Sequence, residues 1–562
     1  MGVLTARIAI WILVPLAVAA AAALAFRVKR HREEARRLSR LCADWGRPVE
    51  HPRDYKLLRE FAALTGPPSH EQVDEHTWND LDMDEVFARV DRTHSAAGQF
   101  MLYRMLRTPQ FDDVERDERL RLIAYFQIDA DLREQVQCAL TGLGFGARMA
   151  AAASLLWDAE RPVVAARPLL GLMAALAAVS LLTAPYFGAP SLLVFLVAFA
   201  CNFVLHYRTR FRFELEMDAL AYLGEVLVAA DRLGRIGRLE IEPLVKRLRE
   251  RSRAAAPLRR RIGRFSSGAG LDLLYEYVNI AFLLEARSLR AAVADIHMFV
   301  GVLRDVLEVI GALDALQAVA SFREGLPVYC EPIFLNDPMH LEVEEVYHPL
   351  LDAPVGNSIV LVGRGALVTG TNMSGKSTFL RSLGLAVLLG STVGTCPARL
   401  YRGARLRVRS SLRAADDVSR GESFYWAEAE RLLQLVRSLE AGAPTLCLID
   451  EMLAGTNSAE RIAASVEILE FICRKGGLVV GATHELEVAS QLQSRLDFYS
   501  FADALGAKGL DFEYRIRPGL SEARNALRLL RELGFPEEIV SGALRRARSA
   551  DLRRSRAGEA ER

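Results

Sequence analysis

The stretch Gly370-Thr371-Asn372-Met373-Ser374-Gly375-Lys376-Ser377 decides how this chain is read. It fits G-x-x-x-x-G-K-[ST] at every fixed position, between the apolar run Ala366–Thr369 and the helical stretch Thr378–Leu389. Strand, glycine-rich loop and helix in that order are the context this pattern requires. Glycines let backbone N–H groups wrap phosphates, so Gly370, Asn372, Met373, Ser374, Gly375 and Thr378 are expected around the nucleotide. Lys376 would bring positive charge to the β- and γ-phosphates, and the Ser377 hydroxyl would ligate Mg²⁺.

Downstream, the apolar run Thr445–Ile449 ends in Asp450-Glu451. Two adjacent acids are common on surfaces. At the end of a buried strand beyond a phosphate loop they suggest chemistry instead. Asp450 is expected to complete the magnesium shell, and Glu451 to polarise the water that attacks the γ-phosphate. A third run, Leu478–Ala482, ends in Thr483-His484, at the sheet edge where ligands collect. His484 is expected to sense the γ-phosphate, against the plain structural use of a single histidine. Short apolar runs alternating with helices from about Val328 onward predict an α/β domain with a largely parallel sheet.

These motifs are similar to the ATPase domain of the MutS family of DNA mismatch-repair proteins. The resemblance rests on Gly370–Ser377 followed by Thr378-Phe379-Leu380-Arg381, on Asp450-Glu451 with Gly455-Thr456-Asn457, and on Ala482-Thr483-His484. Ala415-Asp416-Asp417 and Gly421-Glu422-Ser423-Phe424-Tyr425-Trp426-Ala427-Glu428 resemble the family's signature segment, and His348-Pro349 and Arg517-Pro518-Gly519 also suit it. The resemblance implies ATP and Mg²⁺ as cofactors, DNA as a candidate partner, and a homodimer in which Ser423 reaches the γ-phosphate bound by the partner subunit. The residue-level alternative is that Ser423 caps the helix beginning near Phe424. Leu81-Asp82 and Asp91-Arg92-Thr93-His94-Ser95-Ala96-Ala97-Gly98 resemble the start of the family's helical core and lever. Coverage is about 80–160 and 210–545, strongest over the last two hundred residues.

The chain also departs from the family. Some fifty residues lie between the first apolar run and the core-like segment, too few for the mismatch-reading domain and its connector. Phe322-Arg323-Glu324 resembles the family's mismatch triplet but stands in the wrong region, so it reads as incidental. Pro354-Val355-Gly356 stands ahead of Asn357, where the family places an aromatic to stack adenine.

Composition sets the remaining bounds. The chain has 562 residues, enough for several domains. Apolar residues make up 51% and charged residues 25%, which excludes a disordered or fibrous chain. Lys+Arg 71 against Asp+Glu 70 leaves +1, so no global basic field advertises nucleic acid. The seven cysteines contain no C-x-x-C pair, which argues against zinc spacings and a disulfide framework and fits a reducing compartment.

Three uncharged runs stand out. Ile8 to Phe26 is followed by Arg27, Lys29, Arg30, Arg32, Arg36, Arg37 and Arg40. Its nineteen residues reach about 28 Å as a helix, close to the hydrocarbon thickness. The basic cluster after it favours an uncleaved anchor over a signal peptide. Between Arg167 and Arg208 no acid or base occurs, and Ala184-Pro185-Tyr186-Phe187-Gly188-Ala189-Pro190 divides that run at a turn. Arginines flank both ends. A transmembrane hairpin is expected, with residues 27–167 and 208–562 cytoplasmic at the cell (inner) membrane.

The expected organisation is an anchor and basic flank (1–40), a helical core-like segment (41–167), the hairpin (168–207), a helical lever-like segment (208–326), the ATPase domain (327–545) and a basic tail (546–562). The helical pattern covers Asp84 to Val90, Ala96 to Leu106, Val114 to Phe126, Leu271 to Leu289 and Ala292 to Ala320. Nine cations, Lys246, Arg247, Arg249, Arg251, Arg253, Arg259, Arg260, Arg261 and Arg264, fall within 19 residues. They suit a phosphate backbone, anionic lipid or a solvated face equally. Two functions follow: a repair-like, DNA-binding ATPase at the membrane, or a mechanical ATPase acting on a protein or membrane partner without reading mismatches.

Overall fold

The computed structural model describes residues 43–66, 72–157, 168–262, 272–371, 374–412, 424–453, 456–506, 509–520 and 534–546. The first apolar run, Asn372, Met373, Ser423, Arg264, Gly455 and the basic tail beyond residue 546 lie outside the described residues. The chain divides into two compact units. The first is built from described residues up to Gly66, with Val90–Arg104 and Glu118–Gly325; the second takes those of Pro67–Arg89, Met105–Asp117 and Leu326–Arg562.

Helices α1 (Tyr55–Thr65), α2 (Glu75–Asp80), α3 (Met83–Val90), α4 (Ala96–Arg107), α5 (Asp113–Ile128), α6 (Ala130–Leu140) and α7 (Ala147–Trp157) come first. The apolar pair α8 (Pro168–Phe187) and α9 (Ala189–Arg212) follows, then α10 (Glu214–Leu233), α11 (Glu242–Ala254), α12 (Ala256–Ile262), α13 (Asp272–Phe282) and the 41-residue α14 (Leu284–Glu324). Asp314 of α14 anchors the first unit. Its fully buried carboxylate accepts from Ser95 Oγ at 2.6 Å and from the His94 N–H at 2.9 Å. A Cβ at Gly98 would lie 2.2 Å from Asp314 Oδ2, so only glycine lets the first turn of α4 come this close. Burial pushes the Asp314 carboxyl up to about 7. Asp91 has the same use nearby, accepting from Thr93 Oγ1, Arg53 Nε and Gln99 Nε2. The Asp91–Gly98 segment is therefore a polar scaffold inside the unit.

The hairpin differs from the sequence expectation at its turn. Helix α8 runs through Pro185 to Phe187, and Gly188 alone, at φ +64°, reverses the chain before α9. Pro185 has no N–H to give to the carbonyl one turn back, and the helix ends two residues beyond it. The two helices are long and apolar enough to cross a membrane, and only 22% of each apolar window is buried inside the protein. Small or polar residues (Ala174, Ala177, Ser180, Ala198, Asn202) supply most of the buried positions, and Asn202 Nδ2 donates to Ala281 O of α13 at 2.7 Å. Further along, the continuous helical pattern from Leu271 is broken at Leu283, which takes φ +52° and separates α13 from α14. Phe322 and Arg323 are buried near the end of α14 and serve packing, while Glu324 is exposed.

In the second unit, β1 (Ile333–Leu335), β2 (His340–Val346), β3 (Asn357–Val362) and β5 (Leu400–Ala404) form a sheet in the order β1-β5-β2-β3. A six-stranded sheet contains β4 (Gly365–Thr369), β6 (Arg407–Ser411), β7 (Thr445–Asp450), β8 (Leu478–Thr483), β9 (Leu496–Gly506) and β10 (Gly509–Pro518). Its order is β10-β9-β4-β8-β7-β6, parallel throughout except for the β9–β10 hairpin. Strands β4, β7 and β8 are almost wholly buried, which explains their unbroken apolar runs. Helices α15 (Lys376–Val393), α16 (Phe424–Ser438), α17 (Ser458–Arg474) and α18 (Leu486–Gln491) complete the unit.

Candidate nucleotide site

Register brings the site together. Thr369 pairs with Thr483, and Asp450 with Ala482, so β4, β7 and β8 end at one carboxyl edge. Ligands collect at that edge in parallel sheets.

The phosphate loop leaves β4 through Gly370 and enters α15 through Gly375. Gly370 takes φ +149°, and a Cβ there would lie 2.9 Å from Ser374 Oγ. Gly375 takes φ +105°, and its missing Cβ would face the ring of Tyr514 at 3.2 Å. Lys376 opens α15 and is buried; its Nζ donates to Gly370 O at 2.8 Å and Thr371 O at 2.9 Å. The first N–H groups of α15, among them those of Ser377 and Thr378, belong to the helix's unsatisfied positive end.

Ser377 Oγ donates to Asp450 Oδ2 across the loop. Among the described residues, the other carboxylate oxygen, Asp450 Oδ1, is buried with no hydrogen-bond partner, as is Ser374 Oγ. Burial raises the Asp450 carboxyl above its usual range, opposed by the Ser377 hydrogen bond and by the charges of Lys376 and Arg381. A buried, unshared carboxylate oxygen beside a serine hydroxyl is a hard oxygen donor set. These residues fit a magnesium ion.

Glu451 sits next, at φ +44°, an uncommon conformation for a side chain of its kind. Its N–H donates to Ala482 O at 3.1 Å, and its Oε1 lies 3.3 Å from His484 Nδ1. His484 Nε2 lies 3.6 Å from Glu485, which pairs with Arg461 of α17. Glu451, Met452, Thr483, His484, Arg461 and Val488 line one cavity at this edge. The structure therefore brings Gly370, Ser374, Gly375, Lys376, Ser377, Thr378, Asp450, Glu451 and His484 to one end of the sheet.

Further residues brace this site: Arg381, Glu428 and Asn357 stand in or beside the motifs quoted from the sequence, whereas Asp80 and Arg431 were not singled out. Arg381 follows Ser377 by one turn of α15, and its Nε donates to Asp80 O at 2.8 Å and lies 3.7 Å from Asp82. The Asp80 side chain, 2% exposed, accepts from Ser410 Oγ at 2.7 Å and from the Leu412 N–H at 2.8 Å. Arg431 of α16 stands 3.9 Å from the same carboxylate. Asp80 thus joins the phosphate-loop helix, the end of β6 and α16. Glu428, also in α16 and buried, accepts from the Leu453 N–H in the loop after Glu451. Asn357 ties β3 to β10, donating to Tyr514 O at 3.0 Å and accepting from the Ile516 N–H at 2.8 Å. The signal for Arg381 was its i+4 spacing from Ser377; Asp80 had no local signal.

Among the clustered cations, five are engaged by acids of the first unit. Arg247 and Arg251 share Asp305, Arg261 holds Asp295, Arg259 meets Asp231 and Arg249 meets Glu242. Much of the patch is thus spent inside the protein.

Comparison with known proteins gives the following. Residues 366–551 match the family model described as MutS domain V. The chain is 30% identical over 269 residues to the DNA mismatch repair protein MSH3 of Phaeosphaeria nodorum, covering 45% of this chain and 23% of that protein. It is 31% identical over 277 residues to the DNA mismatch repair protein MutS 2 of Halobacterium salinarum, covering 45% and 31%. Against the DNA mismatch repair protein MutS of Thermus aquaticus, identity is 29% over 251 residues, covering 43% and 30%. The match spans less than a third of the length of each of these relatives.

Proposed function

We propose that this chain, whose residues 366–551 match MutS domain V, is a member of the MutS family and a magnesium-dependent ATPase held in a membrane by the α8–α9 hairpin. The observation that carries the activity is the convergence of Lys376, Ser377, Asp450 and Glu451 at one sheet edge. Lys376 Nζ, now held by two loop carbonyls, hands its hydrogen bonds to phosphate oxygens, aided by the N–H groups opening α15. Ser377 and Asp450 hold Mg²⁺, which when bound neutralises charge on the phosphates. Glu451 orients and deprotonates the attacking water, and His484 at 3.3 Å fixes the Glu451 carboxylate and reports the γ-phosphate. Tyr514, beside Gly375, is proposed as an aromatic surface for the base, since Pro354-Val355-Gly356 offers none.

Two subunits are proposed to close around two nucleotides, with Ser423 of each completing the other's site. The hairpin is proposed to lie in the cell (inner) membrane, with residues 27–167 and 208–562 in the cytoplasm, because arginines flank both of its ends. The apolar surface left exposed along α8 and α9 supports this placement.

For the target, the family relation favours DNA binding related to mismatch repair. The engagement of five clustered arginines by acids, together with the exposed hairpin, favours the second reading, a mechanical ATPase working on a membrane or protein partner. Salt-dependent duplex binding by the detergent-solubilised protein separates them. A steep salt slope, with a preference for mismatched duplex, supports the first reading. Binding that is weak and mismatch-blind supports the second. The ATPase assignment is tested by Lys376→Ala, which is expected to lose nucleotide binding; full binding by this variant would overturn it.

A further inference from the structure

Cys330 stands just ahead of β1, and Cys396 follows the left-handed turn at Gly394 that ends the phosphate-loop helix α15. The two residues exchange both backbone hydrogen bonds, Cys330 N to Cys396 O at 3.1 Å and Cys396 N to Cys330 O at 2.9 Å. Such a reciprocal antiparallel pair sets the Cα atoms about 5.5 Å apart, inside the range that disulfides span. The thiols meet as well: the Cys396 thiol donates to Cys330 Sγ, and this contact holds the Cys330 thiol below its ordinary pKa. Gly390 leaves room for the second sulfur, since a Cβ there would lie 2.7 Å from Cys396 Sγ. Cys330 is half-buried and can meet a small molecule, whereas Cys396 is fully buried and can meet only Cys330 or the protein. Cys447 is the contrast, a core thiol pushed up to about 12 by burial.

We propose that Cys330 and Cys396 form a redox-active dithiol that takes a low-molecular-weight disulfide, such as oxidised glutathione, as its oxidant. The Cys330 thiolate attacks one glutathione sulfur, forms a mixed disulfide and expels one glutathione thiolate. Cys396 then gives up its proton and attacks the Cys330 sulfur, closing the protein disulfide and expelling the second glutathione. Two protein thiols and one oxidised glutathione become one protein disulfide and two reduced glutathiones. Closed, the protein disulfide staples the far end of the phosphate-loop helix to the segment that leads into β1.

The test equilibrates the detergent-solubilised full chain in glutathione buffers of increasing oxidised fraction, blocks remaining thiols, and maps disulfide-linked peptides by mass. A linked pair containing Cys330 and Cys396 is expected, lost on return to reduced glutathione. Cys396→Ser is expected to accumulate glutathione on Cys330, and Cys330→Ser to leave Cys396 unmodified. Absence of the linked pair at the most oxidising ratio overturns the proposal, as does a wild-type mixed disulfide at Cys330 that Cys396 fails to resolve. The readout is a bond, not ATP turnover, so it stands apart from the function proposed above.

Discussion

Replacing Asp80 by alanine removes one buried side chain that joins the end of β6 to α16, while the contact of its backbone carbonyl with Arg381 stays. The carboxylate accepts from Ser410 Oγ at 2.7 Å and from the Leu412 N–H at 2.8 Å, and it is 2% exposed. Hydrogen bonds to a charged acceptor contribute about 1.5–3 kcal/mol each, and the donors left behind are themselves buried. Asp80→Ala is therefore expected to cost about 4 kcal/mol. At about 3 °C per kcal/mol for a unit of this size, melting should fall by about 12 °C. Both donors meet the same oxygen, Oδ2, so Asp80→Asn with its amide oxygen in that place accepts from both and loses mainly the charge that faces Arg431 at 3.9 Å. Its expected cost is about 1 kcal/mol, in the range of exchanging a single polar interaction. Thermal unfolding of the solubilised chain, followed by circular dichroism, measures both. An alanine variant that melts with the wild type, or an asparagine variant as damaged as alanine, refutes the argument.

Gly384→Ala should destabilise the packing of α15 on β7 by about 1–3 kcal/mol, because the new Cβ would lie 2.6 Å from Leu448 Cδ1 and 2.8 Å from Leu81 Cδ2; chemical denaturation checks it. The Asp314 carboxyl is raised to about 7 from 3.8, so the folded state binds a proton that the unfolded state has released. Stability from this group is full below about pH 4 and is lost as pH rises to about 7, by about 4 kcal/mol. Asp314→Asn should abolish that slope in unfolding measured across the window. Mixing Lys376→Ala subunits with Ser423→Arg subunits, each inactive alone, should restore some ATPase activity if sites are shared; mixed dimers without activity would contradict sharing.

What could be read from the sequence was local. The phosphate loop announces itself because Gly370 and Gly375 both need positive φ and Lys376 must open a helix, all within eight residues. Asp450-Glu451 and His484 follow from buried strands ending in polar pairs. Tertiary features stayed hidden. Pro67–Arg89 and Met105–Asp117 pack with the second unit through contacts such as Asp80 with Ser410, some 330 residues apart, which no window detects. Leu283 breaks an apolar pattern that reads as one helix, since a left-handed leucine carries no sequence mark. The four-stranded sheet escaped because β1 is three residues long and β2 alternates exposure only partly. The cluster from Lys246 to Arg261 reads as a basic patch until Asp295 and Asp305, on a distant helix of the same unit, are seen to engage it.

The central claim is that Glu451 performs hydrolysis at a nucleotide site built around Lys376 and Asp450. Parallel measurement of ATP binding and single-turnover hydrolysis, with Mg²⁺, on the wild type and on Glu451→Gln tests it most directly. The amide keeps the size of the side chain but cannot take a proton from water. Binding should be retained while the hydrolysis rate falls about 10²–10⁴-fold, the usual contribution of a positioned base. Hydrolysis by Glu451→Gln at the wild-type rate would contradict the account.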